Sequence, residues 1–103
     1  MFASLGIAGD MEEKTLLEPA GQSPLRVAEG KAQFVLTLTS EILPVPGVEL
    51  AGPLPAPFQS DVVFEAGLSA KAKNPDDGRA LVQLLAAPTA AAFFKAKGME
   101  TGK

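Results

Sequence analysis

Gln33-Phe-Val-Leu-Thr-Leu-Thr39 alternates with a period of two, placing Phe34, Leu36 and Leu38 on one face and Val35, Thr37 and Thr39 on the other. Such alternation over aromatic and β-branched residues predicts a strand. Downstream, Asp61-Val-Val-Phe-Glu-Ala-Gly-Leu-Ser69 repeats the pattern, with Val62, Phe64, Ala66 and Leu68 opposed to Val63, Glu65, Gly67 and Ser69. Between the two lie Pro44, Pro46, Pro53, Pro55 and Pro57, a density that no central strand tolerates because each proline removes a ladder donor. Only Val48 to Leu50 is left there as a short edge or crossing strand. Thr15 to Leu17 reads as a further short strand, ended by Pro19 and Gly21.

Helix signals flank these segments. Phe2 to Leu5 reads as the last turn of a helix stopped by Gly6, as though the chain opened inside a longer protein. Ser23 offers an N-cap, Pro24 suits the first helical position, and Leu25 to Glu29 form a short helix closed by Gly30. In the last third, Asn74 caps, Pro75 starts the helix, and Asp76 with Asp77 complement the positive end of its dipole. Ala80, Leu81, Leu84 and Leu85 then make one apolar stripe that ends before Pro88. Thr89 caps a second helix in which Ala90, Phe93 and Phe94 face inward, Lys95 and Lys97 occupy the final turn, and Gly98 stops it. Strands in the middle and helices at the end predict an α/β fold with a mixed sheet and flanking helices. Arg79 reads as a surface residue of the first of these helices.

Composition narrows the chemistry. At 103 residues and 47% hydrophobic content the chain has the length and apolar surface of one ordinary domain. Nine basic against twelve acidic residues, with no basic run, argue against nucleic acid as a partner, because phosphate neutralisation needs clustered cations. The apolar stretch from Ala80 to Ala87 is interrupted by Gln83 and stopped by Pro88, far short of the roughly 20 residues that span a bilayer. Met1 to Gly6 has no basic region leading into a long apolar run, so the chain as given carries no secretory signal. With neither cysteine nor histidine, disulfides, thiolate or imidazole metal sites and Ser-His or Cys-His nucleophiles are excluded. No metal or cofactor is called for. Asp76 and Asp77 complement a helix dipole and are not read as a catalytic pair, and no spacing among the Glu, Asp, Ser, Thr and Lys residues suggests an enzyme's site.

Ala72-Lys-Asn-Pro-Asp-Asp-Gly-Arg-Ala-Leu-Val-Gln-Leu-Leu-Ala-Ala-Pro-Thr-Ala-Ala-Ala-Phe-Phe-Lys-Ala-Lys-Gly98 resembles the closing helices of solute-binding proteins of bacterial ABC importers. Gly30-Lys-Ala-Gln-Phe-Val-Leu-Thr-Leu-Thr-Ser-Glu-Ile-Leu-Pro-Val-Pro-Gly-Val-Glu-Leu-Ala-Gly-Pro-Leu-Pro55 is similar to the segment that precedes them in the molybdate-binding branch. The resemblance implies a partial type 2 periplasmic-binding-protein-like fold representing the C-terminal half of such a protein. Residues 1–57 would belong to the second lobe, and residues 58–103 would cross the hinge and return to the first. It also implies a periplasmic or extracytoplasmic location, an ABC permease as partner and a small oxyanion as solute.

The donors that an oxyanion would meet here are the Ser23 hydroxyl and the amides of Leu25 and Arg26 at a helix start, with Ser40 after the strand. Pro24 has no N–H to give, and Leu38 stands where some molybdate binders carry a tyrosine hydroxyl. Half of the cleft is absent with the other half of the family fold, so the chain alone is expected to bind oxyanions weakly or not at all. Leu81, Leu84, Leu85, Phe93 and Phe94 would lie on a sheet built from residues this chain does not contain, and an uncovered stripe of that kind points to a homodimer. The alternative to a transport component is a truncated homologue that acts as a self-associating interaction module.

Overall fold

The computed structural model describes residues 1–102, and among them every regular element is a helix. In chain order these are α1 (Ala8–Glu12), α2 (Ser23–Ala28), α3 (Thr39–Ile42), α4 (Pro75–Ala86) and α5 (Pro88–Ala96). The chain divides into two compact units, Met1–Ser60 with α1 to α3 and Asp61–Lys103 with α4 and α5. Charge divides with them. The first unit holds seven carboxylates against three basic residues, the second five against six.

The expected mixed sheet does not form: the described residues contain no strand or ladder. The physical reason is that alternation only prepares a segment for pairing. A strand has no hydrogen bonds of its own and becomes one when a neighbour closes its ladder. Asp61 to Ser69 shows this directly, running without helix, turn or bend and with every residue exposed. The segments at Thr15 to Leu17 and Val48 to Leu50 likewise lack a ladder. At the end of the Gln33 to Thr39 segment a helical turn wins instead. Leu38 is extended (φ −67°, ψ 140°) and Thr39 already opens α3. Glu41 sits in that first turn, where its carboxylate suits the dipole, and the Thr37 hydroxyl donates a hydrogen bond to it.

Local punctuation is where sequence and structure agree best. Gly30 has φ +73°; its amide donates to the Val27 carbonyl at 3.0 Å while the Lys31 amide reaches back to Arg26 at 2.8 Å. That pair of bonds closes the end of α2 as a Schellman motif, which needs a left-handed residue at the position after the cap. Gly98 ends α5 in the same way, its amide bonding Lys95 at 3.0 Å and that of Met99 bonding Phe94 at 2.9 Å.

In the first unit the core is small: Pro24 of α2 is fully buried and Ile42 of α3 is 8% exposed. Gly47 approaches the end of α2, a Cβ at that position lying 4.0 Å from Ala28. In the second unit α4 and α5 contact each other across Ala87, whose extended conformation (φ −69°, ψ 147°) is what a following proline imposes. Asn74 and Pro75 stand at the start of α4 as expected, although the Asn74 side chain makes no cap hydrogen bond. At α5 the start lies earlier than expected, with Pro88 in the first turn and Thr89 inside the helix. The side chain of Leu68 lies against the α4 backbone at Gly78, leaving no room for a Cβ there.

Candidate functional site

The candidate oxyanion donors fall on two helices of the first unit. Ser23, Leu25 and Arg26 share α2, which begins one residue earlier than the sequence indicates: Gln22 is the capping position and Ser23 is already helical. Ser40 stands in the first turn of α3, and no hydrogen bond or ion pair among the described residues joins it to the other three. The hydroxyls of Ser23 and Ser40 carry no hydrogen bond to another described residue, and both residues are partly exposed. The Leu25 amide is already engaged, donating to the Gln22 carbonyl at 3.1 Å.

Arg26 is held by carboxylates. Its Nε and Nη2 meet Glu18 Oε1 and Oε2 at 2.8 and 3.2 Å, and its Nη1 meets Glu29 Oε2 at 3.1 Å. Lys31 Nζ closes the group at 2.9 Å from the same Glu29 oxygen. The hydrogen bond from Arg26 holds the Glu18 carboxyl below the usual glutamate range. Glu29 is lowered first by Lys31 and then by Arg26. The Arg26 guanidinium is raised further above its already high value by its bonds to Glu18 and Glu29. Two carboxylates and two cations leave the cluster neutral, so Arg26 offers structure to the start of the chain rather than a spare charge to a ligand.

Sequence spacing signals one arm of this cluster and hides the other. Arg26 and Glu29 are three apart on a helix, the separation at which side chains meet. Glu18 comes from across the Pro19 to Gln22 turn, which no periodicity marks. An open cleft of about 450 Å3 elsewhere in the first unit is lined by Phe2, Met11, Thr15 and Leu17, with Glu12 at its side. Its apolar walls and single carboxylate suit an apolar group better than an anion. Among the described residues no cluster of carboxylates is grouped to hold a metal ion, and no helix is long and apolar enough to cross a membrane.

In the second unit Leu81, Leu84, Leu85 and Phe93 are exposed, Phe93 at 76%, while Phe94 is half-buried. Arg79 Nη1 pairs with Asp76 Oδ1 at 2.8 Å, one turn back along α4.

No solved structure matches the chain. Among characterised proteins it is similar to a protein named aconitate isomerase from a Pseudomonas species, at 28% identity over 100 residues. The aligned region covers 97% of this chain and 38% of that relative, so the chain spans well under half of the relative's length. That relative bears an enzyme's name, which corrects the expectation of a non-enzyme. Lack of histidine and cysteine excludes only mechanisms that require them, and carboxylates, lysines and hydroxyls also move protons. The family model for bacterial extracellular solute-binding proteins matches residues 1–100. A match of that extent makes this chain a member of the bacterial extracellular solute-binding proteins, a family whose description sets its work outside the cytoplasm.

Proposed function

We propose that the chain supplies part of a binding module for a small, multiply charged oxyanion, with the Ser23 and Ser40 hydroxyls as its donors. The observation that carries this reading is the family match over residues 1–100. The unengaged hydroxyls on α2 and α3 give it chemistry, since hydroxyls and helix amides can hold an anion without a full counter-charge. Aconitate, named in the relative, is a tricarboxylate, and molybdate is an oxometalate. Both present clustered anionic oxygens to hydrogen-bond donors, so one donor set serves either. In this reading residues 1–57 contribute to one lobe of the binding protein and residues 58–103 cross to the other, with an ABC permease receiving the solute in the periplasm.

Affinity of the chain alone should be weak, because Pro24 offers no amide, the Leu25 amide is engaged by Gln22 and Arg26 is neutralised. Isothermal titration with molybdate, tungstate, sulfate, cis-aconitate and trans-aconitate tests this. Binding in the millimolar range that weakens in Ser23→Ala and Ser40→Ala supports the reading; submicromolar binding, or binding indifferent to both serines, overturns it. A second reading, favoured by the relative's name, is participation in aconitate isomerisation. Following the cis-to-trans ratio by proton NMR in the same samples separates it from binding alone.

A further inference from the structure

α2 is six residues long and no side chain caps its start. Isolated helices shorter than about 12 residues are marginal in water, so this one is held by what lies around it. Its entry is a turn from Pro19 to Gln22, closed by the Gln22 amide on the Pro19 carbonyl at 3.1 Å, with Gly21 at φ +77° where the turn favours glycine. Arg26 ties both ends together. Its guanidinium holds Glu18, on the far side of that turn, through two parallel hydrogen bonds, and its carbonyl accepts the Lys31 and Ala32 amides at 2.8 and 3.1 Å. Glu18 is the most shielded member of the charged cluster, its side chain 17% exposed against 45% for Glu29 and 60% for Lys31. A two-pronged, partly shielded pair keeps more of its strength than an open surface pair. Ser23 lies three residues before Arg26, one turn back along the same helix.

With Ser23 read as an oxyanion donor, on which this rests, we propose that Glu18 and Arg26 are positioning residues. Their side-chain clasp fixes the turn against α2 and so sets where the Ser23 hydroxyl stands. The effect of the clasp is opposite in sign to the charge of Glu18. A carboxylate near an anion site repels the anion, so neutralising Glu18 raises affinity if charge alone matters and lowers it if Ser23 loses its place.

NMR titration of the full chain with molybdate and with cis-aconitate, well below the thermal midpoint, reads that sign. Glu18→Gln should raise the dissociation constant about fivefold or more, and so should Arg26→Lys, which keeps the positive charge and loses the planar fork. Glu13→Gln removes the same charge from an exposed residue outside the cluster and should leave the constant within about twofold. Amide exchange at Leu25 and Glu29, whose bonds to Gln22 and Leu25 close α2, should quicken about tenfold in Glu18→Gln with no anion present. Unchanged exchange overturns the proposal whether or not an anion binds. So does binding that is unaltered or tighter in Glu18→Gln, or a lowered midpoint with neither affinity nor exchange changed in folded molecules. Loss of the helical circular-dichroism signal in both variants makes the cluster a support of the whole unit and overturns it as well. Quickened exchange together with binding indifferent to Ser23→Ala marks a different failure: the clasp holds α2, but the donor reading falls and takes the proposal with it.

Discussion

At the scale of single residues the charged cluster around Arg26 has the clearest consequence. Glu18 and Glu29 both sit below the ordinary glutamate range when folded. Folding therefore favours their ionised forms, and the stability they lend is complete above the ordinary glutamate range of the unfolded chain. It is lost as pH falls through their lower folded values. Lowering the pH from about 6 to about 3 should reduce the thermal midpoint of the chain, and Glu18→Gln should flatten that decline; an unchanged slope in the variant would remove Arg26–Glu18 from the explanation. Arg26 itself stays charged throughout. Of this site, the sequence offers the Ser23 and Ser40 hydroxyls and the Leu25 and Arg26 amides as candidate donors. It conceals the neutralisation of the Arg26 guanidinium, because Glu18 arrives through a turn and lies eight residues away.

At the scale of elements, features written within a few consecutive residues were legible and features requiring a distant partner were not. Gly30, Gly98 and the Asn74-Pro75 start appear where the residues place them, because a left-handed stop or a proline start is fixed by its own backbone. The strand expectation at Gln33 to Thr39 and Asp61 to Ser69 has the right pattern and no ladder, since periodicity reports which face could be buried and not whether a neighbour exists to bury it. The Schellman closure of α2 can be tested by contrast. A Cβ at Gly30 or at Gly9 meets nothing within 4 Å, so neither substitution by alanine is limited by space. Gly30 has φ +73°, where alanine costs about 1 kcal/mol, whereas Gly9 lies inside α1, where alanine gains up to about 1 kcal/mol. Urea midpoints should move down for Gly30→Ala and up for Gly9→Ala. Movement in the same direction would show that these ends do not respond to backbone preference.

At the scale of the whole molecule the small core governs how the chain unfolds. An unfolded chain of 10.6 kDa exposes about 15,000 Å2. With 8652 Å2 still exposed when folded, a monomer uncovers only about two-thirds of the area that a usual chain of this mass would. Denaturant slopes scale with that area, so the urea m-value at concentrations low enough to hold the monomer should be about two-thirds of the usual size. A full-sized m-value there would mean a core larger than Pro24 and Ile42.

The division of charge between the two units also sets how any oxyanion arrives. Seven carboxylates against three basic residues give the first unit, which bears Ser23 and Ser40, a negative far field. At physiological ionic strength that field fades over a Debye length of about 8 Å. An anion is then neither drawn in from bulk solution nor turned away until it is a few water diameters from the surface. Capture by this unit would depend on collision and short-range hydrogen bonding, with none of the electrostatic steering that speeds charged ligands into oppositely charged clefts.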